Sequence, residues 1–362
     1  MMNESTGNPV TGDEVYERLA DQLNALPNGF PRTESGVEIR LLKKIATPEE
    51  AWIAGQLGRK LESARDIATR VGLSEAEVTE RIREMLRRGL IRTEKRNRVR
   101  QYRLAPFLIG IWEGQLDTMD HELAHLMEQY MMIQGAKGIL GPYPPVHRVV
   151  PAQQAVKTEQ ILPYDDVHAL LMQANSFIAR DCICRTEQDL LDSRKCDFPV
   201  KNCLAFSTVE GAFGKDGISR NEALAVLDEA EEVGLVHTVG NSVNDVSYVC
   251  NCCGCCCGIL RGITEWGVEN SVARANYYAE TDLDLCVGCG TCEDRCQVGA
   301  VSVVDDVAVV DRSRCIGCGL CVTGCPNEAM HLHRRPDAET VHPPASFEAW
   351  EEKRLRSRGL AG

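Results

Sequence analysis

Near the C-terminal end one arrangement of cysteines occurs twice. CVGCGTCEDRC places Cys286, Cys289, Cys292 and Cys296, and CIGCGLCVTGCP places Cys315, Cys318, Cys321 and Cys325. Three cysteines at a spacing of three let one tight turn aim three thiolates at three irons of a cubane, and the interleaved glycines let the backbone approach the sulfides. The fourth ligand then has to come from elsewhere in the chain. Zinc knuckles pair two C-x-x-C turns and have no use for a duplicated eight-cysteine set.

Residues 276–335 of this 362-residue chain resemble the bacterial dicluster ferredoxins, with every ligand position of that family present. The resemblance implies a small ferredoxin-like fold, two 4Fe-4S clusters and one-electron transfer. In that family the fourth cysteine of each run serves the other cluster. Carried over, one cluster takes Cys286, Cys289, Cys292 and Cys325, and the other takes Cys315, Cys318, Cys321 and Cys296. The one departure is Gln297, where the family usually has the proline that Pro326 supplies in the second copy; its loss relaxes a turn and removes no ligand. Between the copies, AVSVVDDVAVVD reads as strand, Asp-Asp turn, strand, and AMHLH alternates like another strand.

Ten cysteines remain: Cys182, Cys184, Cys196, Cys203, Cys250, Cys252, Cys253, Cys255, Cys256 and Cys257. Six of them crowd into CNCCGCCCG, residues 250–258. A reducing cytosol keeps thiols reduced unless they bind metal or do redox work, so 18 cysteines argue for metal sites rather than a disulfide framework. SRNEALAVLDEAEEVG opens with a Ser219/Glu222 capping box and closes at Gly234, which predicts a helix between the two cysteine groups. LVHTVG and VSYVC then read as a hairpin delivering the dense loop, and a helix over residues 165–179 is expected to deliver RDCICR. Ten thiols exceed one tetrahedral site. The expectation is a further iron–sulfur cluster shared between Cys182/Cys184 and the dense loop, with Cys196 and Cys203 as additional candidate ligands. Zinc and a metal-free dithiol are the alternatives. Arg180 and Arg185 would offset the thiolate charge.

The net charge of −13 is unevenly spread. Residues 81–103 carry ten Lys/Arg against two Glu, whereas residues 276–333 carry nine Asp/Glu against three Arg. The basic stretch belongs to a run of capping signals. TPEE, SARD and SEAE each start a helix, and Gly72 turns between the last two. In the third helix Val78, Ile82, Met85 and Leu86 make a core face, which leaves Thr79, Arg83 and Arg87 outward. GLIRTEKRNRVRQYRL reads as a hairpin whose arm alternates Arg96, Arg98 and Arg100 on one face. These residues resemble the winged helix-turn-helix domains of small bacterial and archaeal regulators. A winged helix can read DNA, dock a protein or nucleate a dimer, so Arg83, Arg87, Arg96, Arg98 and Arg100 are candidate DNA contacts.

Further along, HELAH matches the H-E-x-x-H zinc pattern through His121, Glu122 and His125. No convincing third ligand follows, and beside Leu123, Leu126 and Met127 the histidines read as the edge of a packed connecting helix. A Pro-rich link, GPYPPVHRVVP, leads on to the cysteines. No P-loop or G-x-G-x-x-G frame is present, so flavin or nicotinamide chemistry is expected on a partner. The N-terminus lacks a signal-like apolar core, and the longest aliphatic run, FLIGIW, is too short to span a bilayer.

The expected architecture is α+β and multidomain. It comprises a leader (1–45), a winged helix (46–105), a helical and Pro-rich connector (106–160), a cysteine-rich cluster-binding α+β domain (161–272), a dicluster ferredoxin domain (276–335) and a tail (336–362). The expected function is that of a cytoplasmic iron–sulfur electron-transfer protein or oxidoreductase subunit with a redox partner protein. The alternatives are a redox-responsive winged-helix transcription regulator and, as a minor one, a zinc metallopeptidase built on HELAH; DNA and a second copy of the chain, in a homodimer through the winged helix, are further candidate partners.

Overall fold

The computed structural model describes residues 12–96, 98–156, 161–162 and 164–360. Residues 1–11 of the expected leader and residues 157–160 of the expected connector lie outside them. The chain divides into two units, Met1–Pro142 with Arg354–Gly362, and Tyr143–Lys353.

The first unit begins earlier than a leader over residues 1–45 would allow. Helices α1 (Glu14–Ala25) and α2 (Val37–Ile45) precede the winged helix. Val15, Leu19 and Leu23 recur every fourth residue and are buried along one stripe of α1. Helices α3 (Pro48–Ala54), α4 (Ala64–Val71) and α5 (Glu75–Arg87) each start at a reciprocal capping box, Thr47/Glu50, Ser63/Asp66 and Ser74/Glu77. Gly72 ends α4 in the left-handed conformation. Val78, Ile82 and Met85 are buried on α5, while Leu86 is half-buried.

Strand β1 (Glu62–Ser63) joins a hairpin of β2 (Ile91–Arg96) and β3 (Val99–Leu104), in the order β1-β3-β2. The three wing arginines therefore do not alternate along one arm. Arg96 ends β2 opposite Val99, Arg98 sits in the turn at φ 66°, and Arg100 lies on β3 opposite Lys95. A two-residue hairpin turn needs positive φ at its centre, which takes Arg98 out of the pleat. Helix α6 (His121–Tyr130) runs into a π-helical stretch, Met131–Leu140. Arg354, fully buried, donates to the carbonyls of Pro27 and Pro142.

The second unit is organised on a six-stranded sheet. Its elements are β4 (His147–Val150), α7 (Val167–Met172), β5 (Ser176–Asp181), α8 (Ile183–Leu190), β6 (Lys201–Ser207), α9 (Arg220–Val233), β7 (Val236–Gly240), β8 (Tyr248–Cys252), α10 (Gly258–Thr264) and β9 (Val272–Ala273). The strand order is β5-β6-β8-β7-β4-β9. The helix expected over residues 165–179 is shorter than its sequence suggests. It stops at Met172, and the β-branched and aromatic run after Asn175 forms β5, antiparallel to β6. RDCICR is thus delivered by a strand end and the first turn of α8. The capping box and Gly234 bound α9 as the sequence predicts, and β7 and β8 pair as the predicted hairpin.

Strand alternation sorts this sheet into two chemistries. Leu204, Phe206, Val239, Val249 and Val150 pack with Leu170 and Leu171 of α7 and Ala223 and Leu227 of α9 in one core. Cys203, Cys250 and Cys252 occupy the alternate positions of β6 and β8, and so share the opposite face.

The rest of the second unit comprises β10 (Tyr277–Thr281), α11 (Thr291–Asp294), β11 (Val301–Val304), β12 (Val307–Val310), α12 (Leu320–Thr323), β13 (Met330–Arg334) and α13 (Phe347–Ser357), the last turn of α13 being counted with the first unit. β10 pairs with β13 and β11 with β12, the latter through an Asp305-Asp306 turn with both residues at positive φ. Beyond residue 336 the chain is not a plain tail. Ser346 Oγ accepts from Ala349 N–H at the start of α13, and Trp350 is buried and donates to the Pro145 carbonyl.

Candidate metal centres

In the duplicated segment the two runs fold back on each other. One cavity is lined by Cys286, Cys289, Cys292 and, from the second run, Cys325. Burial raises the Cys292 thiol, and the charges of Cys325 and Cys286 push the same way. Cys318, pushed up to about 12 by burial, has Cys296 of the first run and Cys315 as its charged neighbours. Burial also raises Cys321, with Cys318, Cys315 and Cys296 adding to it. Each group thus contains three thiols from one run and one from the other, and either four could hold a cubane. Binding iron would displace the protons that burial retains.

The backbone is fitted to this geometry. A side chain at Gly288 would meet the Asp306 carbonyl at 2.5 Å, and at the equivalent Gly317 it would meet the Tyr277 carbonyl at 2.4 Å. Both glycines have positive φ. Ala300 N–H donates to Cys296 Sγ at 3.1 Å and Ala329 N–H to Cys325 Sγ at 3.2 Å, the same bond in the two copies. Such donors stabilise thiolates and tune cluster potentials.

The ten central cysteines separate into two sets. Cys182 neighbours Cys184 and Cys203; Cys184 meets Cys257, which meets Cys252; Cys252 meets Cys250, which returns to Cys203. The six thiols close a ring. Cys182 and Cys184 come from the start of α8, Cys203 from β6, Cys250 and Cys252 from β8, and Cys257 from the start of α10. Cys182 is held low because it accepts from Cys184 and Cys203, and Cys257 because it accepts from Cys184 and Cys252. Cys184, Cys203, Cys250 and Cys252 are raised by those same thiol contacts and by burial. The other set, Cys196, Cys253, Cys255 and Cys256, has all four sulfurs within 4.8 Å of one another. Cys196 therefore does not join Cys182 and Cys184, whereas Cys203 does.

Arg185 is fully buried, with Cys182, Cys253, Cys252 and Cys203 among its charged neighbours. It donates to Asn202 Oδ1 at 2.9 Å and to the Asn251 carbonyl at 3.1 Å. Arg180 is exposed on β5 instead. Sequence reasoning passed over the polar residues around the thiols. Thr238 Oγ1 lies 3.4 Å from Cys252 Sγ and 3.1 Å from His147 Nδ1, and the Tyr248 hydroxyl lies 2.9 Å from His147 Nε2. Burial lowers the His147 pKa to about 4. On the other face His237 bridges Asn251 and Glu231. The usable signal was alternation: Thr238 pairs directly opposite Cys250 in the β7–β8 hairpin and so lies on the same face as the ring thiols of β8.

Gln297 has a more specific place than a relaxed turn. Its Oε1 accepts from Gly254 N–H at 2.9 Å, and its Nε2 donates to the Gly234 carbonyl at 2.9 Å. It thereby ties the ferredoxin-like segment, one residue after Cys296, to the middle of the dense cysteine loop. Its neighbour Arg295 donates to the carbonyls of Glu231, Glu232 and Leu320.

The candidate DNA residues are surface residues. Arg83 and Arg87 project from α5 and pair with Glu80 at 3.0 Å and Glu84 at 2.7 Å. Arg96 pairs with Glu94, and Arg98 and Arg100 are exposed. Arg81 and Arg88 of the same basic stretch instead turn to Glu49 and Glu50 of α3. In HELAH, His121 and His125 stack on the exposed side of α6, Glu122 pairs with Lys44, and Leu123, Leu126 and Met127 are buried.

Comparison with known proteins agrees with this layout. The 4Fe-4S binding domain family matches twice, at residues 279–302 and 308–331, and the winged helix-turn-helix DNA-binding family matches residues 62–92. The chain thus carries a duplicated 4Fe-4S binding motif and a winged helix in one α+β protein. A probable ferredoxin of Methanosarcina thermophila is 50% identical over 34 residues, which is 9% of this chain and 59% of that ferredoxin. No solved structure matches. No helix among the described residues is long and apolar enough to cross a membrane.

Proposed function

We propose that the protein is a cytoplasmic iron–sulfur electron carrier or oxidoreductase subunit. Its ferredoxin-like segment holds one 4Fe-4S cluster on Cys286, Cys289, Cys292 and Cys325 and another on Cys315, Cys318, Cys321 and Cys296. The interlocking of the two cysteine runs is the observation that carries this reading. The ring of six thiols around Arg185 is the seat of the further iron–sulfur centre. Six ligands exceed what one tetrahedral ion uses, and a buried guanidinium beside them offsets thiolate and sulfide charge. The acidic ferredoxin segment suits a partner with a basic patch, the flavin or nicotinamide chemistry residing on that partner.

Two cubanes account for about eight irons per chain, so protein purified without oxygen is expected to carry about twelve or more, with matching acid-labile sulfide. Iron fixed near eight, with all six ring thiols open to alkylation in the native protein, refutes the ring centre. Iron and sulfide below two cubanes refute the ferredoxin assignment.

The winged-helix match favours a second reading, a redox-responsive regulator. It requires a saturable complex with one DNA sequence whose affinity changes on cluster oxidation. Weak, sequence-blind, salt-labile binding is the outcome expected of an electron carrier with a basic surface.

A further inference from the structure

The four cysteines outside the ring have a geometry of their own. Cys196 Sγ lies 3.9 Å from Cys253 Sγ and 3.8 Å from Cys256 Sγ, and Cys255 Sγ lies 3.6 Å from Cys256 Sγ. A tetrahedral ion with metal–sulfur bonds of about 2.3 Å sets its four sulfurs about 3.8 Å apart, since the edge of a tetrahedron is about 1.63 times its centre-to-corner distance. The observed separations are those of such an edge. A cubane interposes iron and sulfide between its four ligand sulfurs, so all four cannot crowd together. In the ring of six each thiol meets only its two ring neighbours, whereas here all four sulfurs lie within 4.8 Å of one another and leave room for one ion at their centre.

We infer that Cys196, Cys253, Cys255 and Cys256 form a closed tetrathiolate site for a single divalent metal ion, zinc or mononuclear iron, bound without sulfide and distinct from the iron–sulfur centres. Three of the ligands come from one turn, in which Cys253 and Cys256 have the spacing of a zinc knuckle and Gly254 passes against Gln297. The fourth comes from the loop between α8 and β6. Ala230, Leu235 and Phe198 pack apolar surface against the group, in which Cys253 and Cys256 are buried and Cys196 and Cys255 half-buried. Four thiolates and a divalent ion leave a charge of about −2. Two cations stand beside it: Arg185 has Cys253 among its charged neighbours, and Arg194 bonds to Cys196. The ion would fasten the Cys196 loop to the turn that follows β8, and so brace the neighbouring ring. The inference does not depend on what the ring or the ferredoxin segment binds.

The test is a metal and sulfide count on the full chain, purified without oxygen, as wild type and as Cys196→Ser and Cys255→Ser. The wild type is expected to hold about one metal ion per chain in excess of the iron that sulfide accounts for. Either substitution should remove that ion and leave sulfide unchanged. X-ray absorption on the wild type guards against a variant that fails to fold. If the excess ion is zinc, its edge should show a single shell of four sulfurs at about 2.3 Å and no metal neighbour. If it is iron, Mössbauer spectra should contain a high-spin mononuclear tetrathiolate component. Sulfide falling together with metal in Cys196→Ser, or a wild type with no metal beyond its sulfide-bound iron, overturns the inference.

Discussion

Gly254 offers the sharpest trial of how the dense loop is held. A side chain there would place Cβ 1.9 Å from the Gln297 carbonyl oxygen, and that obstacle is backbone, which no rotamer change can move. Ordinary contact needs more than 3 Å, so Gly254→Ala has to push the loop and the Cys296-Gln297 turn apart by over an ångström. Overpacking of this kind costs about 1–3 kcal/mol. The shift also strains the 2.9 Å bond from Gly254 N–H to Gln297 Oε1, worth about 1 kcal/mol. The expected loss is roughly 2–4 kcal/mol, and for a unit of this size each kcal/mol moves the melting midpoint by about 2–4 °C. Gly258→Ala is the control, because nothing lies within 4 Å of a Cβ at Gly258. Melting of the holoprotein, followed by its visible iron–sulfur absorption, should place Gly254→Ala roughly 5–15 °C below Gly258→Ala. Equal midpoints would show that the loop and the Gln297 turn do not touch as described.

Other expectations are independent of that contact. Cys289→Ser and Cys318→Ser should each disturb the electron paramagnetic resonance of one ferredoxin cubane and leave the ring centre's signal, whereas Cys184→Ser should do the reverse; identical spectra for all three would contradict the partition. His147 stays neutral to about pH 4 in the fold, while in the unfolded chain it protonates near 6.5. Unfolded protein therefore takes up the extra proton as pH falls, and stability drops by about 2 kcal/mol between about pH 6.5 and 5 on this account alone. His147→Gln should flatten that part of the pH profile, and an unchanged slope would remove His147 from the explanation. Replacing Arg98 and Arg100 with Gln should weaken any DNA binding across all sequences and reduce its salt slope by about 2. A variant that loses preference at single base positions instead would mean that the wing reads bases.

Legibility in the sequence followed the range of the interactions. Capping boxes at Thr47, Ser63, Ser74 and Ser219 are decided within four residues, so their helices were readable, and the duplicated cysteine runs carry their own spacing. The amphipathic stripe of α1 was equally local and was passed over because no motif marked it. The division of ten cysteines into six and four was beyond reach. It depends on β6 lying beside β8, a pairing between residues more than forty positions apart, and on the Cys196 loop folding over a turn that is distant in sequence. Gln297 reads as a lost proline when it is compared with ferredoxins alone. Its purpose appears only when Gly234 and Gly254 are brought to it.

The alternation along β8 ties chemistry to folding in a way that limits how this chain can change. Val249 faces the helices while Cys250 and Cys252 face the other thiols, so a single inserted or deleted residue in that strand would exchange the two sets. Such a slip would put thiols into the hydrocarbon core and a valine into the ring. It would be penalised twice, once by lost packing and once by lost ligands. Length changes in β8 should therefore survive only in steps of two, and a bound metal would act as a proofreader of strand pairing.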